Sequence, residues 1–277
     1  MAKYAVSPEQ VARYNRDGYL IIRAGEHNLV TGEELQAWSK KVQSWPREKG
    51  KWMPYDEINE NGERQLMRTE NFVDYHPKFK ALLCGEDLRG VIAQLTGGEM
   101  LLFKDKINYK SGFGNGFLAH LDAPAYDHIG EIEHTTANLA VNAATPENGC
   151  LQVVPGSHRM KVDFLHAGRI HPDWENSHEW VLVPLESGDI VFFGSHLAHR
   201  SFANQTPESR TMVYATYHSA TDGPDLREKY YIDRRVVFPP DHERVAGEGY
   251  EVGWKRYGFA APFSKQDAVA QEIEVTV

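Results

Sequence analysis

Phe117-Leu118-Ala119-His120-Leu121-Asp122 sets an imidazole and a carboxylate two residues apart, the period of a β-strand. In extended backbone, residues i and i+2 project from one face, so His120 and Asp122 can reach one metal ion while Leu121 packs behind them. The flanking segments carry the same period. Met100 to Lys110 alternates, with Leu102, Lys104, Lys106, Asn108 and Lys110 on one face and Leu101, Phe103, Asp105, Ile107 and Tyr109 on the other. Thr135 to Ala143 divides likewise, with Asn138 and Asn142 on a face that either meets a substrate or faces solvent. Alternating strands through the middle of the chain indicate a two-sheet antiparallel β fold.

His-x-Asp by itself is common; the downstream sequence gives it weight. Gly188-Asp189-Ile190-Val191-Phe192-Phe193 reads as a turn and an apolar strand. His199 follows, then Ser201 at strand spacing, a turn-rich loop over 204–209, and Arg210 opening a further strand. Such a loop suggests a hairpin, with His199 and Arg210 on one inner wall. Two histidines and one carboxylate form the facial triad of non-haem Fe(II) oxygenases, which leaves coordination positions open. A guanidinium nearby offers a fork for an anionic co-substrate. His128 and His134 lack a carboxylate at strand spacing. His196, three residues before His199, falls on the opposite strand face.

His120-x-Asp122, the Pro155-Gly156-Ser157-His158 turn preceded by Glu147-Asn148-Gly149-Cys150-Leu151, and the run from Gly188 through His199 to Arg210 together resemble the phytanoyl-CoA dioxygenase family of Fe(II)/2-oxoglutarate oxygenases, over roughly residues 10 to 220. The resemblance implies a mainly β fold with flanking helices, a double-stranded β-helix (jelly roll, cupin-like). It implies Fe(II) held by His120, Asp122 and His199, with 2-oxoglutarate chelating the metal and its distal carboxylate meeting Arg210 and Ser201. Lys104 and Asn108 resemble further co-substrate contacts, and O2 is the oxidant. Halogenating relatives lack the carboxylate, so Asp122 implies hydroxylation.

The implied substrate is a small polar or zwitterionic molecule. One concrete version is an aminoalkylphosphonate such as 2-aminoethylphosphonate, its anion held by Arg234 or Arg235 and its cation by Asp127 or the ring of Tyr126. The competing reading is a non-oxidative cupin-like isomerase or lyase, or a metal-dependent binding protein; neither would need Arg210.

The chain has 277 residues, a net charge of -9 and a pI near 5.8, an acidity that argues against nucleic acid and anionic membrane surfaces as partners. Cys84 and Cys150 are too few for a disulfide framework, and no run has the length of a signal core or membrane span, so a cytoplasmic protein is expected. Nothing in the pattern addresses oligomeric state. We expect one domain over 1–277: a helical flank over about 7–97, a β core over about 100–220, and an extension over 221–277. Ser7-Pro8-Glu9-Gln10 and Thr31-Gly32-Glu33-Glu34 read as helix starts with capping boxes. The charged stretch from Pro46 to Asn71 reads as a surface loop. Either 159–179 or the C-terminal extension would serve as the lid.

Overall fold

The computed structural model describes residues 4–59, 61–130 and 132–262. The last part of the expected C-terminal extension, 263–277, lies outside the described residues. The described chain forms thirteen strands: β1 (Tyr19–Ile22), β2 (Met53–Ile58), β3 (Arg64–Glu70), β4 (Met100–Lys110), β5 (Phe117–His120), β6 (Thr135–Ala140), β7 (Leu151–Val153), β8 (Phe164–His166), β9 (Arg169–Ile170), β10 (Val181–Val183), β11 (Ile190–Gly194), β12 (His199–Ser201) and β13 (Arg210–Ser219). The principal helices are α1 (Pro8–Asp17), α2 (Gly32–Gln43), α3 (Pro77–Leu83), α4 (Glu86–Thr96), α5 (Pro172–Asn176) and α6 (Leu226–Val237). All pairings between these strands are antiparallel, giving a seven-stranded sheet in the order β1-β11-β6-β13-β4-β3-β2 and a six-stranded sheet in the order β10-β7-β12-β5-β9-β8. This is the jelly roll the sequence pointed to.

The helical starts follow the capping chemistry. Ser7 Oγ accepts from Gln10 N and the Gln10 side chain accepts from Ser7 N; Thr31 and Glu34 repeat the exchange on α2. Leu35 and Val42 of α2 join Phe79, Leu83, Leu88, Val91, Ile92 and Leu95 of α3 and α4 against Ile107, Leu139, Val213 and Ala215 on the outer face of the larger sheet. Between the sheets, Ala140, Val153, Val191, Phe193 and Met212 make a second apolar cluster. A third seals one end: Tyr230 and Tyr231 from α6, with Phe238, Tyr257 and Phe259 beyond it, pack on Met53, Tyr55, Phe103 and Tyr126.

The structure corrects three sequence expectations. Residues 46–71 are not simply a loop, because β2 and β3 form a hairpin that extends the larger sheet beside β4. The hydropathy pattern hides these strands because Arg68 and Glu70 point inward, and a bulge at Met67 breaks the alternation. Pro54 is tolerated because β2 is an edge. Next, β4 does not keep one phase. Thr216 pairs with Lys104 and Tyr217 with Leu102, leaving Phe103 as an extra residue. Leu102 therefore turns to the helix-side core, while Phe103 joins Lys104, Lys106, Asn108 and Lys110 on the inner side. Finally, β12 and β13 are not a hairpin pair. β12 lies between β5 and β7 in the smaller sheet, whereas β13 lies between β6 and β4 in the larger one, so the 202–209 loop crosses from one sheet to the other.

Candidate metal centre

β5 and β12 are neighbours with His120 directly opposite His199, and the two rings are 4.1 Å apart between centroids. Asp122 follows two residues after His120, just past the strand end, where Asp122 N and Ala123 N both donate to Ser195 O at 3.1 Å. Leu121 packs the other way, among Ala119, Val154 and Ala198. His120 Nε2 lies 3.7 Å from Asp122 Oδ1 and His199 Nε2 lies 3.9 Å from Asp122 Oδ2. The ligand-capable atoms of the three all fall within 4.8 Å of one another, the only such cluster among the described residues.

Each imidazole is oriented by its own backbone. The Nδ1 of His120 meets Leu118 O at 2.7 Å and that of His199 meets Leu197 O at 2.9 Å, which leaves both Nε2 lone pairs facing the carboxylate. Burial, reinforced by His199, pushes His120 down to about 3, so its ring stays neutral. Burial works against the Asp122 carboxylate, but His199, Lys106 and His120 outweigh it and hold the group below the usual carboxylate range. A charged carboxylate beside inward-facing imidazole nitrogens fits a divalent transition metal.

Arg210, paired with Lys110 across β13 and β4, is 2 % exposed, and its Nε is buried with no hydrogen-bond partner. Lys110 Nζ donates to Ser201 Oγ at 2.9 Å, to Gly149 O at 3.1 Å and to Phe202 O. Burial, with Arg210 as neighbour, pushes Lys110 well below the usual lysine range. Arg210 and Ser201 thus meet through Lys110, whose part in this corner the sequence reading missed. A buried guanidinium with an orphaned donor suits a carboxylate from a ligand.

A cavity next to the triad is lined by His120 and Asp122 with Arg68, Lys104, Lys106, Tyr126, Tyr257 and Phe259, among others. Lys104 is therefore in the site, although Asn108 is one step removed, accepting from Arg68 Nε at 2.9 Å. Arg68 Nη1 and Arg234 Nη2 both donate to Glu70 Oε1, at 3.0 and 2.9 Å, and Lys104 Nζ is 3.9 Å from the same oxygen. Burial raises Glu70, but Arg234, Lys104 and Arg68 outweigh it and hold the carboxyl below its usual range. Burial likewise pushes Lys106 down to about 8 and Lys104 well below its usual range.

The remaining expected residues divide. Tyr126 lines the cavity, and Asn138 is fully buried on the inner face of β6, its amide without partners. Arg234 lies behind the cavity, against the rings of Tyr55, Phe238 and Tyr257. Asp127 and Arg235 are not brought there. Asp127 is exposed on a different surface depression, and Arg235 makes a two-pronged ion pair with Glu243. Arg68, Lys106, Tyr257 and Phe259 escaped the sequence reading of the site. Lys106 was signalled by the polar row of β4, while Arg68 was hidden in the misread hairpin. Of the two candidate lids, the C-terminal segment lines the cavity; 159–179 instead extends the smaller sheet as β8 and β9, with Arg169 opposite His120.

Residues 14–212 match the family model for phytanoyl-CoA dioxygenase (PhyH). The chain is 39% identical over 241 residues to dioxygenase lolE1 of Epichloe uncinata, covering 87% of this chain and 93% of that protein. It is 34% identical over 256 residues to the 2-aminoethylphosphonate dioxygenase of uncultured bacterium HF130_AEPn_1, covering 92% and 97%. With the methylphosphonate hydroxylase of Gimesia maris it shares 36% identity over 234 residues, covering 84% and 88%. The fold is similar to that of EctD from S. alaskensis, solved with 2-oxoglutarate and 5-hydroxyectoine, with a TM-score of 0.67 and 22% identity over 82% of this chain and 85% of that one.

Proposed function

The chain belongs to the phytanoyl-CoA dioxygenase family and is an iron- and 2-oxoglutarate-dependent dioxygenase; on that premise we propose that it hydroxylates a small phosphonate. The observation that carries the catalytic reading is the convergence of His120, Asp122 and His199 between the sheets while Arg210 is buried with an orphaned donor. We assign the metal to those three side chains and the distal carboxylate of 2-oxoglutarate to Arg210, supported by Ser201 and Lys110. When bound, the iron would let O2 oxidise 2-oxoglutarate to succinate and CO2 and a C–H bond of the substrate to C–OH, one oxygen atom going to succinate and one to the hydroxyl.

The chain's own residues prepare the site for that chemistry. Leu118 O and Leu197 O fix the two imidazoles, so no ring rotation has to accompany metal binding. Asp122 is already ionised and has no proton to lose. Tyr126, Tyr257 and Phe259 wall the cavity with rings and displace water from the place where a C–H bond must lie. The phosphonate reading rests on two relatives named for phosphonates and on a cavity that Arg68, Lys104 and Lys106 line against the single carboxylate of Asp122. No helix among the described residues is long and apolar enough to cross a membrane, and the free Cys84 and Cys150 support a cytoplasmic setting.

Two measurements test the proposal. Anaerobic addition of Fe(II) and 2-oxoglutarate should give a weak visible absorption band from chelation, whereas full metal loading without a band would remove the 2-oxoglutarate assignment. In air, succinate should form faster with methylphosphonate or 2-aminoethylphosphonate present than with ectoine or an acyl thioester; equal rates throughout would remove the phosphonate.

A further inference from the structure

Lys104 and Lys106 are two residues apart on β4, on the same inner face, and both line the cavity that contains His120 and Asp122. Lys104 is 5 % exposed. Among the described residues neither ammonium has a hydrogen-bond acceptor. Lys104 approaches Glu70 only to 3.9 Å and otherwise lies over the rings of Tyr126 and Tyr230, at 5.4 and 5.3 Å from their centroids. Lys106 lies over Tyr214 at 4.6 Å. Lys104 is buried and Lys106 half-buried, and an ammonium so placed without an acceptor is costly unless a ligand completes it.

The charge count indicates what the ligand is. Arg68, Lys104 and Lys106 line the cavity with Asp122, while Glu70 and Arg234 stand directly behind, so with both lysines protonated, as an anion between them would hold them, four cations face two carboxylates and leave an excess of two positive charges. The metal's charge and that of a dianionic co-substrate cancel and leave this excess unchanged. A carboxylate would neutralise half of it. A phosphonate, with up to two negative charges over three oxygens, matches it and offers an acceptor to each ammonium.

Resting on the phosphonate reading above, we propose that Lys104 and Lys106, with Arg68 beside them, cradle a dianionic phosphonate head group, and that Glu70 and Arg234 are positioning residues behind the cradle. The cradle selects by charge: it takes a phosphonate and discriminates against the carboxylate of equal length. It is separate from the Arg210 corner, which takes the co-substrate.

The test is calorimetric binding on the full-length, iron-loaded protein under anaerobic conditions, with methylphosphonate, acetate and 2-oxoglutarate as separate probes. We expect methylphosphonate to bind at least about tenfold more tightly than acetate, and Lys104→Met and Lys106→Met each to weaken it about tenfold or more. Affinity for 2-oxoglutarate should stay within about twofold. Because neither ammonium has an acceptor among the described residues, both variants should also keep or raise the melting temperature of the ligand-free protein. A purely structural role for Lys104 would lower it. Unchanged methylphosphonate affinity in both variants overturns the cradle, and so does a loss confined to 2-oxoglutarate, which would assign the lysines to the co-substrate. The two proposals fail separately. Lysine-dependent phosphonate binding without succinate formation would uphold the cradle and remove the catalytic reading. Succinate formation driven by methylphosphonate, with an affinity for it that neither lysine variant changes, would remove the cradle alone.

Discussion

Arg210 is set apart from the other buried arginines by its lack of a carboxylate. Arg234 reaches Glu70 at 2.9 Å and Arg68 reaches it at 3.0 Å, whereas no ion pair to Arg210 forms among the described residues. Replacement by a neutral side chain of similar length should therefore cost little before ligand binds and much after. For Arg210→Met we expect KM for 2-oxoglutarate to rise about 10- to 100-fold, the loss of one charge-assisted contact, with an unchanged or higher melting temperature. A melting temperature several degrees lower would mean that the guanidinium has a structural partner. At this scale much was legible in the sequence. His120, Asp122, His199 and Arg210 stand at spacings that only a β reading makes sense of, and all four are buried or nearly so. Asp127 and Arg235 were misjudged because adjacency in sequence to Tyr126 and Arg234 says nothing about which way a turn or helix presents the next side chain.

The elements around the site are tied together by a few buried acids. Asp105, on the outer face of β4, accepts from Phe72 N at 2.7 Å and Val73 N at 2.9 Å, meets Tyr231 Oη at 3.2 Å and pairs with Arg227. It thus joins β4 to the turn before α3 and to α6. Asp105→Asn takes from Arg227 its closer charge partner, leaving Asp74 at 3.6 Å, and should destabilise the fold by about 1–3 kcal/mol, measurable as a lower midpoint in urea. A change below half that would show that water replaces the carboxylate. The hairpin of β2 and β3 shows why whole elements can be missed. Strand recognition from sequence assumes that inward residues are apolar, and here the inward residues include Arg68 and Glu70. The capped helices α1 and α2, whose signals are local hydrogen bonds and an apolar stripe, were legible from sequence for the converse reason.

Over the molecule as a whole, buried histidines bear on acid sensitivity. His134 is 2 % exposed, neither ring nitrogen has a hydrogen-bond partner, and burial pushes it down to about 3. An unfolded histidine titrates near about 6.5, so between that value and about 3 the unfolded chain binds a proton that the folded chain refuses. Stability is therefore fully present above the upper value and falls as acid is added through the window, by at most about 1.4 kcal/mol per pH unit for this one group. His134→Leu should flatten the dependence of melting temperature on pH between about 6.5 and 4; an unchanged slope would show that His134 protonates in place. The extra residue in β4, Phe103, reaches further than its size suggests. Side chains alternate, so a strand is a two-letter frame, and one surplus position shifts everything downstream into the other letter. Remove it, and the pairing of Tyr217 with Leu102 and of Thr216 with Lys104 would run on without a break, so both lysines would keep their side of the sheet and only the Phe103 ring would leave its place beside Tyr126 and Tyr230. A single-codon deletion here therefore tests the ring alone, because the frame on either side of it is already in step with the neighbouring strand.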